Sequence, residues 1–462
     1  MITRFVLGFN FFIIFYVFAI NFIYFIQLIL SIFNLYGYLK KMEYSDYKNY
    51  VFSENMIPIS ILVAAYNEEK TIVSNVASLL ALKYPMFEVV VVNDGSRDNT
   101  LKELQLNYEL EKISRPMYKR ILTKEVKGIY TSKKYSNLIV VDKENGGKAD
   151  ALNAGVNISR YPIVSSIDAD SILESDALVR VVMPFIEDKN TAAVGGIVRI
   201  ANGSDIKDGR VINVNIPKSH LARFQIVEYL RAFLIGRVGW DSINSLLIIS
   251  GAFGVFRKDI LIKVGGYART IGEDMELVLK IHKYSLENKL NLRVKFIPDP
   301  VCWTQAPENI KSLRTQRRRW QVGLMQSLFS HKNMLFNPSY KQIGIFALPY
   351  YWIFEMIGPL VEILGYILIP VSYFIGILNL KYMILFFSAS VLYGIILSLG
   401  ALLLEEYTFH KYPKPKHIII LSIYAILENF GFRQLMTYYR VEGIIRYNKL
   451  KNKWGEIKRK EF

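Results

Sequence analysis

A single cysteine, Cys302, in 462 residues excludes an intrachain disulfide framework and a cysteine metal cluster. It fits a domain that faces a reducing compartment. Several other signals are also missing. Gly146-Gly147-Lys148 does not complete the GxxxxGK of a phosphate-binding loop. A calcium loop started at Asp168 has Leu173 where glycine is needed, and one started at Asp94 has Asn99 there and Gln105 at the twelfth position. No internal repeat divides the chain. From Phe5 to Leu39 no residue is charged, a run too long for a signal-peptide core of about 7 to 15 residues, and no small-residue cleavage site follows it.

That run reads as a retained membrane anchor, residues 1–39. Lys40 and Lys41 follow it and only Arg4 precedes it, so the positive-inside rule puts the N-terminus outside and the next domain in the cytosol. Hydrophobic residues make up 52% of the chain and charged ones 21%, with the apolar residues gathered at its two ends. The middle reads as one soluble domain, residues 52–330. Formal charge is +17 and uneven: Leu110 to Ser136 carries eight Lys/Arg against two Glu, and the tail after Arg433 eight against three. Nucleic acid would explain such patches. Beside hydrophobic segments, a positive-inside signal and anionic lipid headgroups explain them with fewer assumptions, so membrane lipid is the expected partner and no nucleic acid is.

Residues 341–439 read as interfacial and transmembrane helices, and 440–462 as a basic cytosolic tail. Glu362 and Lys381 bound an uncharged stretch long enough to span, and Tyr382 to Leu404 is another. Ile343 to Pro359, with Pro349, Glu355 and Pro359, reads as an interfacial helix leading into the first of these. Ile418 to Tyr439 is interrupted by Glu428 and Arg433; it lies in the interface, re-enters, or spans with its charges buried against a partner. The basic tail favours three spans in total, with this segment not crossing.

Between the anchors, Ile57 to Ala64 and Phe87 to Asn93 are apolar runs rich in Val and Ile, the pattern of parallel strands buried on both faces. Asn137 to Asp142 and Ile163 to Ile167 supply further strands. Glu69 to Leu82, Asp98 to Tyr108 and Gly147 to Ser159 intervene as helices, giving an α/β sheet covered on both sides. Leu110 to Ser136 reads as a mobile basic insertion.

Ligands of an open parallel sheet collect at the carboxyl ends of its strands. Glu68 follows the first strand within AAYNEE, Asp94 ends the second within NDGSRDNT, and Asp168 and Asp170 end a third within SSIDADS. Asn-Asp-Gly by itself is an ordinary turn. Asp168-Ala169-Asp170 places two carboxylates on the same side of an extended chain, where they can ligate one hard cation. Lys148 opens a helix whose first-turn amides can face phosphate oxygens, or it is a surface lysine. Glu273 and Asp274 begin another helix, where an acidic first turn also serves the helix dipole. Gln316-Arg317-Arg318-Arg319-Trp320 precedes an apolar helix; arginine clamps diphosphates and tryptophan stacks on sugar or base, while a basic juxtamembrane belt is the rival reading.

In this order, from about Ile57 to Gln326, these motifs resemble the processive family 2 glycosyltransferases: cellulose, chitin, hyaluronan and poly-N-acetylglucosamine synthases. The QxxRW motif, here Gln316, Arg319 and Trp320, is the specific part. The resemblance implies a GT-A fold, a Rossmann-like nucleotide-sugar domain flanked by transmembrane helices. It also implies a UDP-sugar donor, Mg²⁺ or Mn²⁺, inversion at the anomeric carbon, a polysaccharide acceptor, and a multi-pass protein of the cell membrane with a cytosolic catalytic domain. Carried over by position, Asp94 meets the uracil and ribose side of the donor with Ala65 and Glu68 beside it. Lys148 approaches the diphosphate, Asp168 meets sugar or metal, and Asp170 holds the metal. Glu273 and Asp274 are the catalytic pair, Asp274 being the general base. Gln316 and Arg319 steady the diphosphate, and Trp320 the acceptor end.

Gly272 stands where cellulose and poly-N-acetylglucosamine synthases usually have threonine, which is closer to the chitin and hyaluronan branch. The spans are also fewer than in the better-known synthases, which leaves open a polymer channel formed by this chain alone or completed by a homo-oligomer or export partner. Two other readings stand beside this one: a single-step transferase loading a lipid carrier, and a non-catalytic membrane-anchored binding protein.

Overall fold

The computed structural model describes residues 2–44, 56–116, 118–207 and 209–451. The part of the basic tail beyond Lys451 lies outside the described residues, as do the first positions expected for the soluble domain. Two compact units divide the chain. The sheet unit is drawn from Gly37–Pro217 and Ile243–Ala306, and the helical unit from Met1–Tyr36, Lys218–Ser242 and Pro307–Ile457.

The strands, in chain order, are β1 (Ile59–Ala65), β2 (Phe87–Asp94), β3 (Leu110–Ile113), β4 (Val126–Ser132), β5 (Leu138–Lys143), β6 (Ile163–Asp168), β7 (Ile172–Leu173), β8 (Thr191–Ile200), β9 (Asp205–Lys207), β10 (Arg210–Asn213), β11 (Phe253–Arg257) and β12 (Arg293–Thr304). Ten of them form one sheet in the order β3-β4-β5-β2-β1-β6-β11-β8-β12-β7, and β9 and β10 form a separate hairpin. The central strands β5, β2, β1 and β6 run parallel. Their Val- and Ile-rich runs are buried because helices cover both faces, which is why they show little polar alternation. Helix Lys148–Ile158 packs on β1 and β2 with almost every residue buried, which its small residues, three alanines and a glycine, allow.

The sheet is mixed rather than wholly parallel. β11 runs antiparallel between β6 and β8, so its start lies at the rim where β6 ends; the Asp168 N–H donates to the Ala252 carbonyl there at 3.4 Å. The basic segment Leu110 to Ser136 also departs from expectation. It folds into edge strands β3 and β4, which pair with each other and with β5. Pairing is a main-chain property, so Lys112 and Lys127 can stay exposed while Ile129 and Ser132 turn inward.

The helical unit begins with helix Ile2–Tyr44, which continues into the sheet unit. Among the described residues three helices are long and apolar enough to cross a membrane: Gly8–Glu43, Met383–Thr408 and Pro415–Ile445. The number is four if the bent pair Ile343–Met356 and Gly358–Phe374, angled by 42°, counts as one span. Two segments bear on the expected spans. The uncharged stretch before Lys381 is not one straight helix, because it stops at Phe374, where Gly376 (φ +73°) turns the chain. The segment around Glu428, expected not to cross, qualifies by length and composition, with a break at Phe430 and Gly431. Its charges are internal: the buried Glu428 carboxylate accepts from Arg433 at 2.7 Å and Ser398 at 2.6 Å, and pairs with Arg231. All three contacts go to Oε1, so the charge is paired while Oε2 stays buried without a hydrogen-bond partner among the described residues, and such pairing lets a carboxylate lie within an apolar helix.

Candidate active site

Four parallel strands end on one rim, and the register orders what they carry. Asp94 lies opposite Lys143, Ala65 opposite Asn93, and Ala64 opposite Asp168. The loops after β1 and β2 are laced together. Asn67 N–H donates to Ser96 Oγ at 3.0 Å, Arg97 N–H to Asn67 Oδ1 at 2.8 Å, Glu68 N–H to Thr100 Oγ1 at 2.9 Å and Glu69 N–H to Asp98 Oδ2 at 3.1 Å. Glu68 also takes the Thr71 hydroxyl at 2.8 Å. Much of the polar content of AAYNEE and DGSRDNT therefore shapes the two loops.

Asp94 is buried, and both of its carboxylate oxygens face the chain. Oδ1 accepts from Lys143 Nζ at 2.6 Å and from the Gly146 N–H at 3.0 Å, and Oδ2 from the Gly147 N–H at 2.7 Å. Lys143, fully buried, pairs as well with Asp150 at 2.7 Å. The amides of Gly146 and Gly147, which precede helix Lys148–Ile158, are thus taken by Asp94. Gly147 has φ +90°, a conformation that favours glycine.

From that loop Lys148 reaches across the rim. Its Nζ lies 2.6 Å from Asp168 Oδ1 and 3.1 Å from Glu273 Oε1, and 3.4 Å from the Gly251 carbonyl. The Gly251 N–H donates to Asp274 Oδ2 at 3.2 Å, and Asp274 Oδ1 accepts from the Met275 N–H at 2.8 Å. Strand β6, helix Lys148–Ile158, the turn before β11 and helix Glu273–Glu287 thus converge on one cluster. Burial works against the Lys148 ammonium, but Asp168 and Glu273 outweigh it and hold its pKa above the ordinary lysine range. Burial pushes the Glu273 carboxyl above the usual carboxylate range, with Lys148 pulling the other way. Lys148 therefore stays charged, and the two carboxylates share a cation.

Asp168 and Asp170 do not lie along one extended chain. Strand β6 ends at Asp168 and the chain turns there, the Ser171 N–H donating to the Asp168 carbonyl at 3.0 Å. A turn, not strand alternation, sets the spacing of these carboxylates. Among the described residues no group of three or more His, Cys, Asp or Glu side chains converges as a metal cage.

Gln316, Arg319 and Trp320 lie on helix Ile310–Ser330 of the helical unit. Two arginines of this run have carboxylate partners in that unit: Arg317 makes a bidentate pair with Glu228, both contacts 2.7 Å, and Arg318 meets Glu442 at 3.1 Å. The Arg317 guanidinium lies 4.4 Å from the Trp320 ring, and Trp320 is half-exposed. Much of the run's positive charge is thereby structural.

Sequence reasoning missed three contributors. Nothing in the sequence around Lys143 marks it as buried. Gly251 acts through its main chain, and only a turn before an apolar strand hints at it. Asn153 mimics a backbone, donating to the Tyr267 carbonyl at 2.9 Å and accepting from the Tyr267 N–H at 2.8 Å, and so ties helix Lys148–Ile158 to the loop leading to Glu273.

The sequence matches Glycosyl transferase family 2 over residues 60–265 and Glycosyl transferase family group 2 over 163–402. A poly-beta-1,6-N-acetyl-D-glucosamine synthase of Staphylococcus aureus (strain COL) is 33% identical over 280 residues, 59% of this chain and 57% of that protein. One from Staphylococcus epidermidis is 32% identical over 269 residues, 57% of this chain and 54% of that protein. The chain thus spans somewhat over half the length of these relatives. In fold, the mannosyltransferase PcManGT from Pyrobaculum calidifontis, solved with GDP-Man and Mn²⁺, superposes with a TM-score of 0.50 at 17% identity, covering 92% of this chain and 99% of that one. The sheet unit is therefore a GT-A-like α/β fold, and the chain belongs to the family 2 glycosyltransferases.

Proposed function

We propose that this protein transfers N-acetylglucosamine, or a related hexose, from a UDP-sugar to a growing polysaccharide with inversion at the anomeric carbon. The observation that carries this reading is the meeting of Asp168, Lys148, Glu273 and Asp274 at one rim of the sheet unit. The named relatives support the choice of sugar. In this reading Lys148 and Asp168 attend the donor diphosphate and sugar, and Asp274 accepts the proton of the attacking acceptor hydroxyl. The Gly251 N–H orients that carboxylate, and Glu273 holds Lys148. One base without a covalent nucleophile means a single displacement, hence inversion. Ala65 and Glu68 border the nucleoside side, and Asp94 contributes by shaping the loop below it. Gln316, Arg319 and Trp320 are assigned to the diphosphate and acceptor ends.

Asp168 and Asp170 offer hard oxygen donors of the kind Mg²⁺ or Mn²⁺ takes, and an ammonium already rests on Asp168, so the residues fit such an ion. When bound it would neutralise charge on the leaving diphosphate. With few carboxylates present, diphosphate oxygens and water would complete its ligands. The apolar helices support a protein of the membrane; the cytosolic placement of the catalytic unit rests on Lys40 and Lys41 after the first run, and a homo-oligomer or export partner for the polymer is part of the proposal.

Membranes containing the protein should release UDP from UDP-N-acetylglucosamine in a divalent-cation-dependent way and yield a polymer on sizing. A product of one sugar on a lipid carrier would replace this reading with single-step transfer. UDP release without Mg²⁺ or Mn²⁺ would remove the metal from it.

A further inference from the structure

Lys143 is the last residue of β5 and is fully buried. A buried ammonium is tolerated only where partners surround it. Here they are Asp94 at 2.6 Å, Asp150 at 2.7 Å and the Glu144 carbonyl at 2.5 Å. Each of the two carboxylates in turn holds main chain. Asp94 takes the N–H groups of Gly146 and Gly147, and Asp150 that of Lys124, 3.2 Å from each of its oxygens. Asn145 closes the same turn by donating its side-chain amide to the Asp94 carbonyl at 2.8 Å. The packing leaves little slack: a Cβ on Gly146 would lie 2.5 Å from Asp150 Cγ. Immediately after this turn comes Lys148, whose long side chain must arrive at both Asp168 and Glu273.

We propose that Lys143 is a positioning residue for the donor site: it clamps Asp94 to Asp150, fixes the Gly146–Gly147 turn between them, and thereby sets where Lys148 meets Asp168. The ammonium acts at one remove. Its own bonds go to the clamp, and the clamp's bonds go to the loop. This rests on the assignment of Lys148 and Asp168 to the donor made above. A clamp that only stabilised the fold would lower thermal stability and leave donor binding unchanged. A clamp that positions the loop must change donor binding in protein that is still folded.

The test compares the full chain with Lys143→Met, which keeps the aliphatic stem and removes the charge. Donor KM for UDP-N-acetylglucosamine should rise roughly tenfold or more, as small displacements of binding groups do, with kcat falling less than about threefold. The dissociation constant for UDP should rise with KM. Amide hydrogen exchange across residues 144–148 should quicken by at least about tenfold in the variant, a readout that needs no substrate. Gly146→Ala, which pushes Asp150 off the clamp without deleting a charge, should shift KM and exchange in the same direction, and it decides the matter if Lys143→Met does not fold. Folded variants with unchanged donor KM, or with unchanged loop exchange, would overturn the proposal. If wild-type protein bound no UDP, the functional reading would fail, while the exchange comparison would still show whether Lys143 holds the loop.

Discussion

Two lysines five residues apart, Lys143 and Lys148, each bridge two carboxylates, yet the two clusters differ in kind. The Lys143–Asp94 pair is sealed, with the lysine side chain at 0% and that of Asp94 at 4% exposure, while Asp150 on the other side keeps 20%. Lys148, between Asp168 and Glu273, keeps 17%, and Asp168 keeps 29%. In the first cluster the Asp94 oxygens are occupied by the chain's own donors. In the second, carboxylates from two elements meet the lysine, and Asp168 is open to solvent while Glu273, at 7%, is buried. In the proposed reading the sealed cluster is architecture and the open one is the place of the chemistry. A charged motif residue thus tells its role by what its oxygens already hold.

This contrast is testable from the open cluster inward. Lys148→Met should cut transfer by about 10²-fold or more, the usual cost of deleting one charge-stabilising donor from an active site, with a smaller loss of melting temperature than at Lys143, because Asp168 is partly solvated and the buried Glu273 carboxyl, already pushed up by burial, can take a proton; steady-state kinetics and a thermal melt check both halves. Lys143→Met should show the reverse emphasis. Breaking a buried pair leaves an uncompensated carboxylate and costs about 3–5 kcal/mol, so the melting temperature should drop clearly while kcat changes little. If Lys148→Met destabilised the protein more than Lys143→Met, the division into open and sealed clusters would be wrong. Asp150→Asn should fall between wild type and Lys143→Met in stability, since Asp94 still pairs with the ammonium.

The smallest effect concerns His282, buried on the helix that carries Asp274, with its Nε2 2.8 Å from the Leu246 carbonyl. Burial lowers its pKa. With the folded pKa depressed, the unfolded chain binds the extra proton first, so stability should decline as pH falls below about 6.5. His282→Gln should flatten that slope in denaturant titrations at pH 7 and pH 5.5.

The central strands were legible because a short Val- and Ile-rich run between turn residues suits a strand buried on both faces, and β1, β2, β5 and β6 lie within about two residues of where the pattern puts them. The carboxylates at their ends followed from the parallel arrangement. What stayed hidden depends on pairing between distant segments. Strand β11 runs against its neighbours, and nothing in FGVFR states a direction. The charges of Leu110 to Ser136 masked strands whose pairing is made by main chain. Asp94 and Lys143 are far apart in sequence, so neither composition nor spacing announces that one buries the other. The turn at Asp168 replaced the extended geometry that the Asp-Ala-Asp triplet suggested, although Asp168 itself stands at the rim as expected. Helix Ile310–Ser330 shows the same limit: its polar composition did not reveal that Arg317 and Arg318 spend their charge on Glu228 and Glu442.

Asp274 as the base beside Lys148 is the assignment on which the proposed chemistry depends. The direct measurement is the rate of UDP release from UDP-N-acetylglucosamine by the Asp274→Asn variant in membranes, set against UDP binding by the same protein. The predicted result is a rate lower by about 10²-fold or more, the size of a general-base contribution, with UDP affinity unchanged. Release at the wild-type rate would contradict it.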